Sequence, residues 1–329
     1  MKTIKFLILF LSFLISSFFS YAQFGPGRNA DPEQHSKPYN EKEIERMIKN
    51  GGLLLRQIEA FPFKKIIENN KDIGSISISN SHHLSFITPE IENFKKLKNL
   101  SISETKIKEM PNGIFKLLEL QYLSYRINQT SKIPKEIGNL SQLKGLSLLY
   151  LPITVLPNEI GKLTVLENLE IANNKGRCYI AGDVFELEGI KILPKEIGNC
   201  IELKMLSLYN NGFESIPKQI GNLTNITYLA LFKNNIESLP KEIGNLKMLQ
   251  TLELSENPLK NLPNTIGNLS NLQILNISNT EIETLPKSIE KLINLKMLNV
   301  KGTKITEFEL NELKKKLPNT RIYNGQDID

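Results

Sequence analysis

Residues able to perform acid–base, nucleophilic or metal chemistry are few in this 329-residue chain, and they are not grouped. The three histidines are His35, His82 and His83, and two adjacent histidines rarely point toward one metal ion. Glu253 and Glu256 could act as an acid–base pair only if burial shifted their pKa values, and nothing in the sequence indicates that burial. Spacings typical of zinc proteases, serine hydrolases, phosphate loops or dinucleotide sites do not occur. We therefore predict no enzyme activity, no cofactor and no metal site.

The chain contains two cysteines, Cys178 and Cys200. Two cysteines cannot form a disulfide framework or a four-ligand zinc site on their own. Cys200 stands where the surrounding pattern has a leucine, which favours a small buried side chain. A bond between the two cysteines is the alternative, and the sequence leaves it open.

The first 22 residues have the pattern of a secretory signal peptide. Lys2 and Lys5 precede an apolar run, and Ser20 and Ala22 are small residues at the positions that a signal peptidase reads. We expect cleavage after Ala22, no membrane span in the mature chain, and a secreted, periplasmic or cell-surface location. An uncleaved membrane anchor is the alternative. Without this segment the net charge falls from +6 to +4. Lysine alternates with glutamate and forms no basic stripe, so nucleic acid is not an expected partner.

The strongest pattern in the chain is a recurring proline with a period of 23 residues, which indicates a repeat architecture. One gap is 22 residues and one is 37 residues. The prolines of this series are Pro89, Pro111, Pro134, Pro157, Pro194, Pro217, Pro240, Pro263 and Pro286.

Each repeat predicts a short strand, a turn and a return segment. In the unit that begins at Leu239, Leu252 and Leu254 are two residues apart and would share one face of a strand. An asparagine follows three residues later in five repeats, and its amide could satisfy the backbone groups of the turn. The return segment, Leu-Pro-x-x-Ile-Gly-x-Leu, predicts a short helix with proline in its first turn. Its glycine would suit a positive φ at the helix end.

These motifs resemble those of the leucine-rich repeat family, in the 23-residue class seen in Ras-suppressor-like proteins, plant Ras-group-related proteins and bacterial exported proteins. The resemblance covers about residues 73–305. It implies an α/β fold, a right-handed solenoid shaped like a horseshoe, with a parallel β-sheet on its concave side. We count ten strands, the first one around Ile76 and Ile78.

The remaining segments depart from the repeat. We expect a flexible leader over 23–39 and an N-terminal helical cap over 40–72, in which Leu54, Leu55 and Ile58 have helical spacing. A C-terminal cap would cover 306–329 and contain a closing helix that ends before Pro318. Its apolar positions are Phe308, Leu310, Leu313 and Leu317.

The outward positions of the strands form three columns across the concave face. The first column is Asn99, Tyr122, Gly145, Asn168, Met205, Tyr228, Thr251, Ile274 and Met297. The central column is Ser101, Ser124, Ser147, Glu170, Ser207, Ala230, Glu253, Asn276 and Asn299. The third column is Ser103, Arg126, Leu149, Ala172, Tyr209, Phe232, Ser255, Ser278 and Lys301.

Aromatic, methionine and basic residues, which are enriched at protein interfaces, gather beside the small and polar central column. They are the candidate partner-binding residues Tyr122, Arg126, Tyr150, Met205, Tyr209, Tyr228, Phe232 and Lys233. The alternative is that the aromatic residues only cover the strand edges.

The 37-residue gap contains an insertion at about 175–188. Two short alternating runs flank Ala181, Gly182 and Asp183, which predicts a β-hairpin with a three-residue turn. Insertions in repeat proteins often lie on the binding face, but surface insertions are also tolerated at little cost. The sequence is consistent with both hypotheses, a hairpin that takes part in binding and a tolerated surface loop.

These features predict an exported, non-catalytic module that binds a protein through its concave face. A glycan-binding protein or adhesin is the second hypothesis, because aromatic side chains among polar ones also suit sugar stacking. The identity of the partner does not follow from the sequence.

Overall fold

The structure, a computed structural model, describes residues 52–56, 58, 66, 72–180 and 182–328, without the side chains of 327 and 328. The expected signal peptide, leader and the first part of the N-terminal cap lie outside these residues. Within them, twelve strands form an open parallel sheet, and a thirteenth strand pairs with the last of these in antiparallel orientation. In the sequence, a separate two-stranded sheet comes between the sixth and seventh strands of the main sheet, which are direct neighbours in space.

The strands are short, as the repeat predicts. Those of the main sheet are β1 (Gly52–Arg56), β2 (Ser75–Ser79), β3 (Asn99–Ser103), β4 (Tyr122–Arg126), β5 (Gly145–Leu149), β6 (Asn168–Ala172), β9 (Met205–Ser207), β10 (Tyr228–Ala230), β11 (Thr251–Glu253), β12 (Ile274–Asn276), β13 (Met297–Asn299), β14 (Arg321–Tyr323) and β15 (Asp327–Ile328). The second sheet consists of β7 (Lys175–Ile180) and β8 (Asp183–Glu188). Each repeat strand pairs in register with the next, so that equivalent residues of successive repeats are direct neighbours.

The return segments are five-residue 3₁₀-helices. They are η1 (Pro89–Asn93), η2 (Asn112–Lys116), η3 (Lys135–Asn139), η4 (Asn158–Lys162), η5 (Lys195–Asn199), η6 (Lys218–Asn222), η7 (Lys241–Asn245), η8 (Asn264–Asn268) and η9 (Lys287–Lys291). From η2 onward the residue at the N-cap is proline in extended conformation, one position earlier than the first turn that we predicted. Stacked strand and helix residues bury one continuous core from Leu53 to Ile322.

The glycine of the return segment has a different role from the predicted one. It lies inside the helix, and its φ is not positive. A Cβ at Gly244 would lie 2.5 Å from the carbonyl oxygen of Thr265, and a Cβ at Gly221 would lie 2.6 Å from that of Glu242. Both oxygens belong to the next helix along the solenoid. Glycine is therefore required because neighbouring 3₁₀-helices pack backbone against backbone.

The buried asparagines form the predicted amide ladder at the strand ends. Asn234 Oδ1 accepts from the backbone of Asn211 at 3.2 Å, and Asn234 Nδ2 donates to Leu208 O at 2.9 Å. Asn174 Nδ2 also donates to Asn211 Oδ1 at 3.1 Å. Each amide thus joins its own turn to the preceding repeat, where the ordinary sheet pairing ends.

The N-terminal cap differs from the prediction where it is described. Gly52–Arg56 is a strand that pairs in parallel with β2, and not part of a helix. Leu53 and Leu55 are buried whereas Leu54 is 37% exposed, which is the alternation of a strand. The segment has no asparagine and no proline at the repeat spacing, so its pattern fitted a helix equally well. Its strand conformation follows from pairing with β2 and burial of Leu53 and Leu55 in the common core.

The C-terminal cap contains the predicted helix and two strands that were not predicted. Helix α1 (Glu307–Lys316) begins where the Thr306 hydroxyl accepts from Glu309 N at 3.2 Å. Leu310 and Leu313 are buried, but Phe308 is 76% exposed, so its inclusion in the apolar face was wrong. Strand β14 then adds to the edge of β13, and β15 pairs with β14 in antiparallel orientation.

Candidate binding surface

The concave face carries the three columns in the predicted alignment. Met205 and Tyr228 are direct Cα partners in the first column, as are Ser207 and Ala230 in the central column. Ser147, Ser207 and Ala230 of the central column are buried. The concave face is therefore a surface with small residues along its centre, and not a deep cavity.

Tyr209 and Phe232 form the best-defined contact of this face. Their rings are stacked, with centroids 4.6 Å apart and an interplanar angle of 5°. Equivalent positions on adjacent strands are about 4.8 Å apart, so two aromatic residues in one column are held at stacking distance by the sheet itself. Both side chains are half-buried. Together with the half-buried Tyr228 they are called the aromatic patch below.

Two asparagine side chains, which follow β6 and β9, hold the Tyr209 side chain in place. Asn173 Nδ2 donates to the Tyr209 hydroxyl at 3.1 Å, and Asn210 Nδ2 donates to Asn173 Oδ1 at 3.0 Å. Burial raises the pKa of the Tyr209 phenol above its usual value, and the negative charge of Glu170 adds to this rise. The ring is thus oriented by hydrogen bonds and remains neutral.

Glu170 and Arg126 lie on the N-terminal side of the patch. Ser147 Oγ donates to Glu170 Oε2 at 3.1 Å. Burial raises the pKa of Glu170, while the hydrogen bond from Ser147 and the positive charge of Arg126 act in the opposite direction. The positive charge of Arg126 also opposes the rise in the pKa of Tyr209. Arg126, one of the predicted site residues, lies in the same column as Tyr209, with Leu149 and Ala172 between them.

Glu253 lies on the other side of the patch and corrects one expectation. The sequence suggested no burial for this carboxylate, but burial raises its pKa to about 7, against the opposing hydrogen bond from Asn276. Asn276 Nδ2 donates to Glu253 Oε2 at 2.7 Å. The neighbouring Glu256 is exposed, so the two glutamates do not form an acid–base pair.

The remaining predicted site residues are less tightly grouped. Tyr122 lies three strands away from Met205, and a Cβ at Gly145 would meet the Tyr122 ring at 2.7 Å, so this ring lies over Gly145. Tyr150 and Lys233 occupy the strand-end position with positive φ, at 53° and 56°. Lys233 Nζ lies 3.7 Å from Glu256 Oε2.

Glu170 and Glu253 were predicted in the central column but not as binding residues, and the contacts of Asn173 and Asn210 were not predicted. The two glutamates were visible as the only acidic residues of the central column, which was the available signal. The two asparagines hold the position before the ladder asparagine, where nothing in the spacing distinguishes a polar contact from a turn residue. Their role depends on side-chain direction, which the repeat pattern does not specify.

The insertion forms the predicted hairpin, with a shorter turn. Ile180 pairs with Asp183, so two residues join the strands instead of three. One face of the hairpin buries Ile180 and Leu187. On the opposite face Tyr179 is 68% exposed and Val184 is 49% exposed, and these two residues are direct partners.

Polar contacts attach the hairpin along the rim, which is the edge formed by the ends of the repeat strands. The Asp183 carboxylate lies 3.2 Å from Lys106 Nζ and accepts from Gln129 Nε2 at 3.0 Å. At the other end, Lys175 Nζ donates to Asn235 Oδ1 at 3.2 Å. The hairpin therefore spans the rim from the turn after β3 to the turn after β10, beside the aromatic patch.

The two cysteines are both free thiols. Cys200 is buried, and its Sγ donates to Ile160 O at 3.3 Å. Burial raises the pKa of Cys200 to about 12, and burial together with the charge of Glu186 raises that of Cys178. Both therefore remain protonated at neutral pH, and the disulfide alternative is not observed.

The described residues contain neither a metal-binding cluster nor a membrane-spanning helix. No group of three or more histidine, cysteine, aspartate or glutamate side chains there is arranged to hold a metal ion. The same part of the chain has no helix with the length and apolar character that crossing a bilayer requires.

Solved structures similar to this chain are repeat proteins of bacteria and plants. A leucine-rich repeat protein of Leptospira interrogans is 29% identical, with a TM-score of 0.57 and 81% of each chain covered. A plant peptide hormone receptor, RGFR1 in complex with RGF2, is 28% identical with a TM-score of 0.54; the match covers 82% of this chain and 48% of the receptor. An internalin of Listeria monocytogenes shares the fold at 17% identity, with a TM-score of 0.58 and coverage of 88% and 90%.

Sequence families agree with these structures. No curated protein matches the chain. The family described as "Leucine-rich repeat region" matches residues 72–193 and 218–278, which is more than half of the chain. The family described as "Leucine Rich Repeat" matches residues 271–292. The chain therefore belongs to the leucine-rich repeat family.

Proposed function

We propose that this chain is an exported, non-catalytic module that binds a protein partner through the concave face. The observation that carries the proposal is the aromatic patch of Tyr209, Tyr228 and Phe232, held half-buried beside a floor of small residues. Tyrosine and phenylalanine supply large contact areas at a low cost in conformational entropy, and they are enriched at protein interfaces. Export rests on the signal-peptide pattern of residues 1–22.

Two further observations favour a protein as partner. The patch is fixed in advance by stacking and by the Asn173 hydrogen bond, which lowers the entropy lost on binding. The similar plant receptor is a peptide hormone receptor in complex with RGF2, which favours a protein or peptide as the partner. We propose the remaining predicted residues, Tyr122, Arg126, Tyr150, Met205 and Lys233, as the outer part of the same contact surface.

The proposal is tested by cross-linking the exported protein in its native cell, followed by measurement of the affinity of the captured partner. Combined replacement of Tyr209, Tyr228 and Phe232 by Ala should weaken binding at least tenfold. Thermal unfolding should change little, because the main core lies on the other face of the sheet. Tyr179→Ala on the outer face of the hairpin is the matched control and should leave the affinity unchanged.

Three results would contradict the proposal. The triple variant could bind the partner as tightly as the wild type, or it could unfold so easily that the three side chains prove to be part of the core. The third result is binding of sugars on a glycan array through this patch, without competition from any captured protein. It would establish the glycan-binding alternative instead.

A further inference from the structure

Glu253 lies next to the aromatic patch on its C-terminal side. Glu253 and Ala230 are Cα partners on adjacent strands. Tyr228 stands two residues before Ala230 and Phe232 two residues after it, and backbone pairing continues past the strand from Lys233 N to Ser255 O. Since side chains alternate along a strand, all of them project from the same face.

Glu253 has no cationic partner among the described residues. Lys233, which follows the neighbouring strand β10, pairs with Glu256 instead, at 3.7 Å. The one hydrogen bond to the Glu253 carboxylate comes from the neutral amide of Asn276, which also accepts from Ser278 Oγ at 2.8 Å. Glu170, the equivalent glutamate on the other side of the patch, differs because Arg126 partly compensates its charge.

An uncompensated, half-buried carboxylate beside aromatic rings is complementary to a cation. Arginine and lysine side chains bind over the faces of tyrosine and phenylalanine, and they pair with carboxylates through charge-assisted hydrogen bonds. Tyr228 and Glu253 are diagonal neighbours on adjacent strands, because Tyr228 pairs with Thr251 and Ala230 pairs with Glu253. Burial raises the pKa of the Tyr228 phenol, and the negative charge of Glu253 adds to this rise. The burial that raises the pKa of Glu253 also deprives the carboxylate of water, which an incoming cation would replace as the partner.

We propose that the protein partner inserts a basic side chain, arginine or lysine, between the rings of Tyr228 and Phe232 and the carboxylate of Glu253. This inference rests on the proposed function and adds the chemistry of the recognised residue. The partner segment is basic at this position even though the chain as a whole carries a net positive charge. Local pairing therefore determines recognition here, and overall charge does not.

The test uses a random dodecapeptide display library as the probe, selected on the exported chain. Selected peptides should share an arginine or lysine. Exchange of that residue for the neutral citrulline or acetyl-lysine should weaken binding at least tenfold. Glu253→Gln, which keeps the shape of the side chain and removes the charge, should cause a similar loss. The two changes together should cost no more than either one alone, because they break the same contact.

Glu170→Gln is the matched control on the same column and should change the affinity less than threefold. The inference is overturned if the selected peptides share no basic residue, or if Glu253→Gln binds them as tightly as the wild type. Equal losses in both glutamate variants would also overturn it. If the selected peptides bind the triple alanine variant more weakly than the wild type, the proposed function stands. Peptides that bind the triple variant as tightly as the wild type would count against the proposed function itself.

Discussion

At the scale of single residues, the strand ends impose one unusual backbone conformation on every repeat. Among the residues that the structure describes, nine non-glycine residues have φ between 49° and 56°, always at the position before the ladder asparagine or its equivalent. Asparagine occupies four of these positions and tolerates this left-handed region well, because its short polar side chain can bond locally. Ile127, with φ of 50°, is β-branched and is the least suited of the nine.

Replacement of Ile127 by asparagine should therefore stabilise the protein. We expect a gain of about 1 kcal/mol in the free energy of unfolding, since the left-handed conformation costs about that much for a residue with a bulky Cβ. Urea denaturation measures the change, and Ile127→Val serves as the control with no gain. A loss of stability in Ile127→Asn would mean that the half-buried isoleucine contributes more by packing than its backbone strain costs.

The raised pKa of Glu253 predicts a pH-dependent stability. Between the ordinary glutamate pKa and about 7, the folded protein binds a proton that the unfolded chain does not bind. Stability is therefore lost as the pH rises through this window. Glu253→Gln removes the penalty, so the variant should exceed the wild type at pH 8 by on the order of 2 kcal/mol, and should match it near pH 4. Urea denaturation at both pH values measures this, and an equal difference at both would contradict the assignment.

At the scale of elements, close packing between 3₁₀-helices explains why glycine recurs in the return segment. A positive φ was the predicted reason for this glycine, because the motif shows where glycine occurs but not whether its conformational freedom or its missing Cβ is required. Only the neighbouring helix reveals that a Cβ would collide with a backbone oxygen. Helix positions were predictable from the proline, whereas the 3₁₀ type and the spacing between helices were not.

Gly244→Ala should accordingly destabilise the solenoid. The added methyl group would lie 2.5 Å from Thr265 O, and relief requires two helices to move apart, which costs about 2 kcal/mol. Gly212→Ala is a matched control, because its Cβ would lie no closer than 3.5 Å to any atom and its φ is not positive. Thermal unfolding of both variants measures the effect, and equal melting temperatures would refute the packing explanation.

The rim hairpin should detach when its buried face is made polar. Ile180→Ser combined with Leu187→Ser removes the apolar contacts, and the exposed polar contacts of Asp183 contribute little on their own. We expect faster hydrogen exchange in 175–188 with unchanged protection of the helices. Tyr179→Ser combined with Val184→Ser, on the outer face, is the control. If both pairs change the exchange to the same extent, the inner face does not anchor the hairpin.

At the scale of the whole molecule, the repeat places the core on one face of the sheet and leaves the other free. This division was predictable, because leucines two residues apart must share a face. The terminal strands β1 and β14 were not, because they join the sheet by adding to its edges without the repeat motif. The residues of the aromatic patch were predicted from their columns, but the half-burial of Glu253 was not, because the repeat pattern does not specify how the surrounding side chains pack.

The central claim is that the aromatic patch is the partner-binding surface, and hydroxyl-radical footprinting of the cross-linked complex tests it most directly. Tyr209, Tyr228 and Phe232 should be oxidised several times more slowly in the complex than in the free protein. Tyr179, exposed on the outer face of the hairpin, is the internal reference and should react equally in both. Unchanged oxidation of the three patch residues, with protection elsewhere on the chain, would contradict the account.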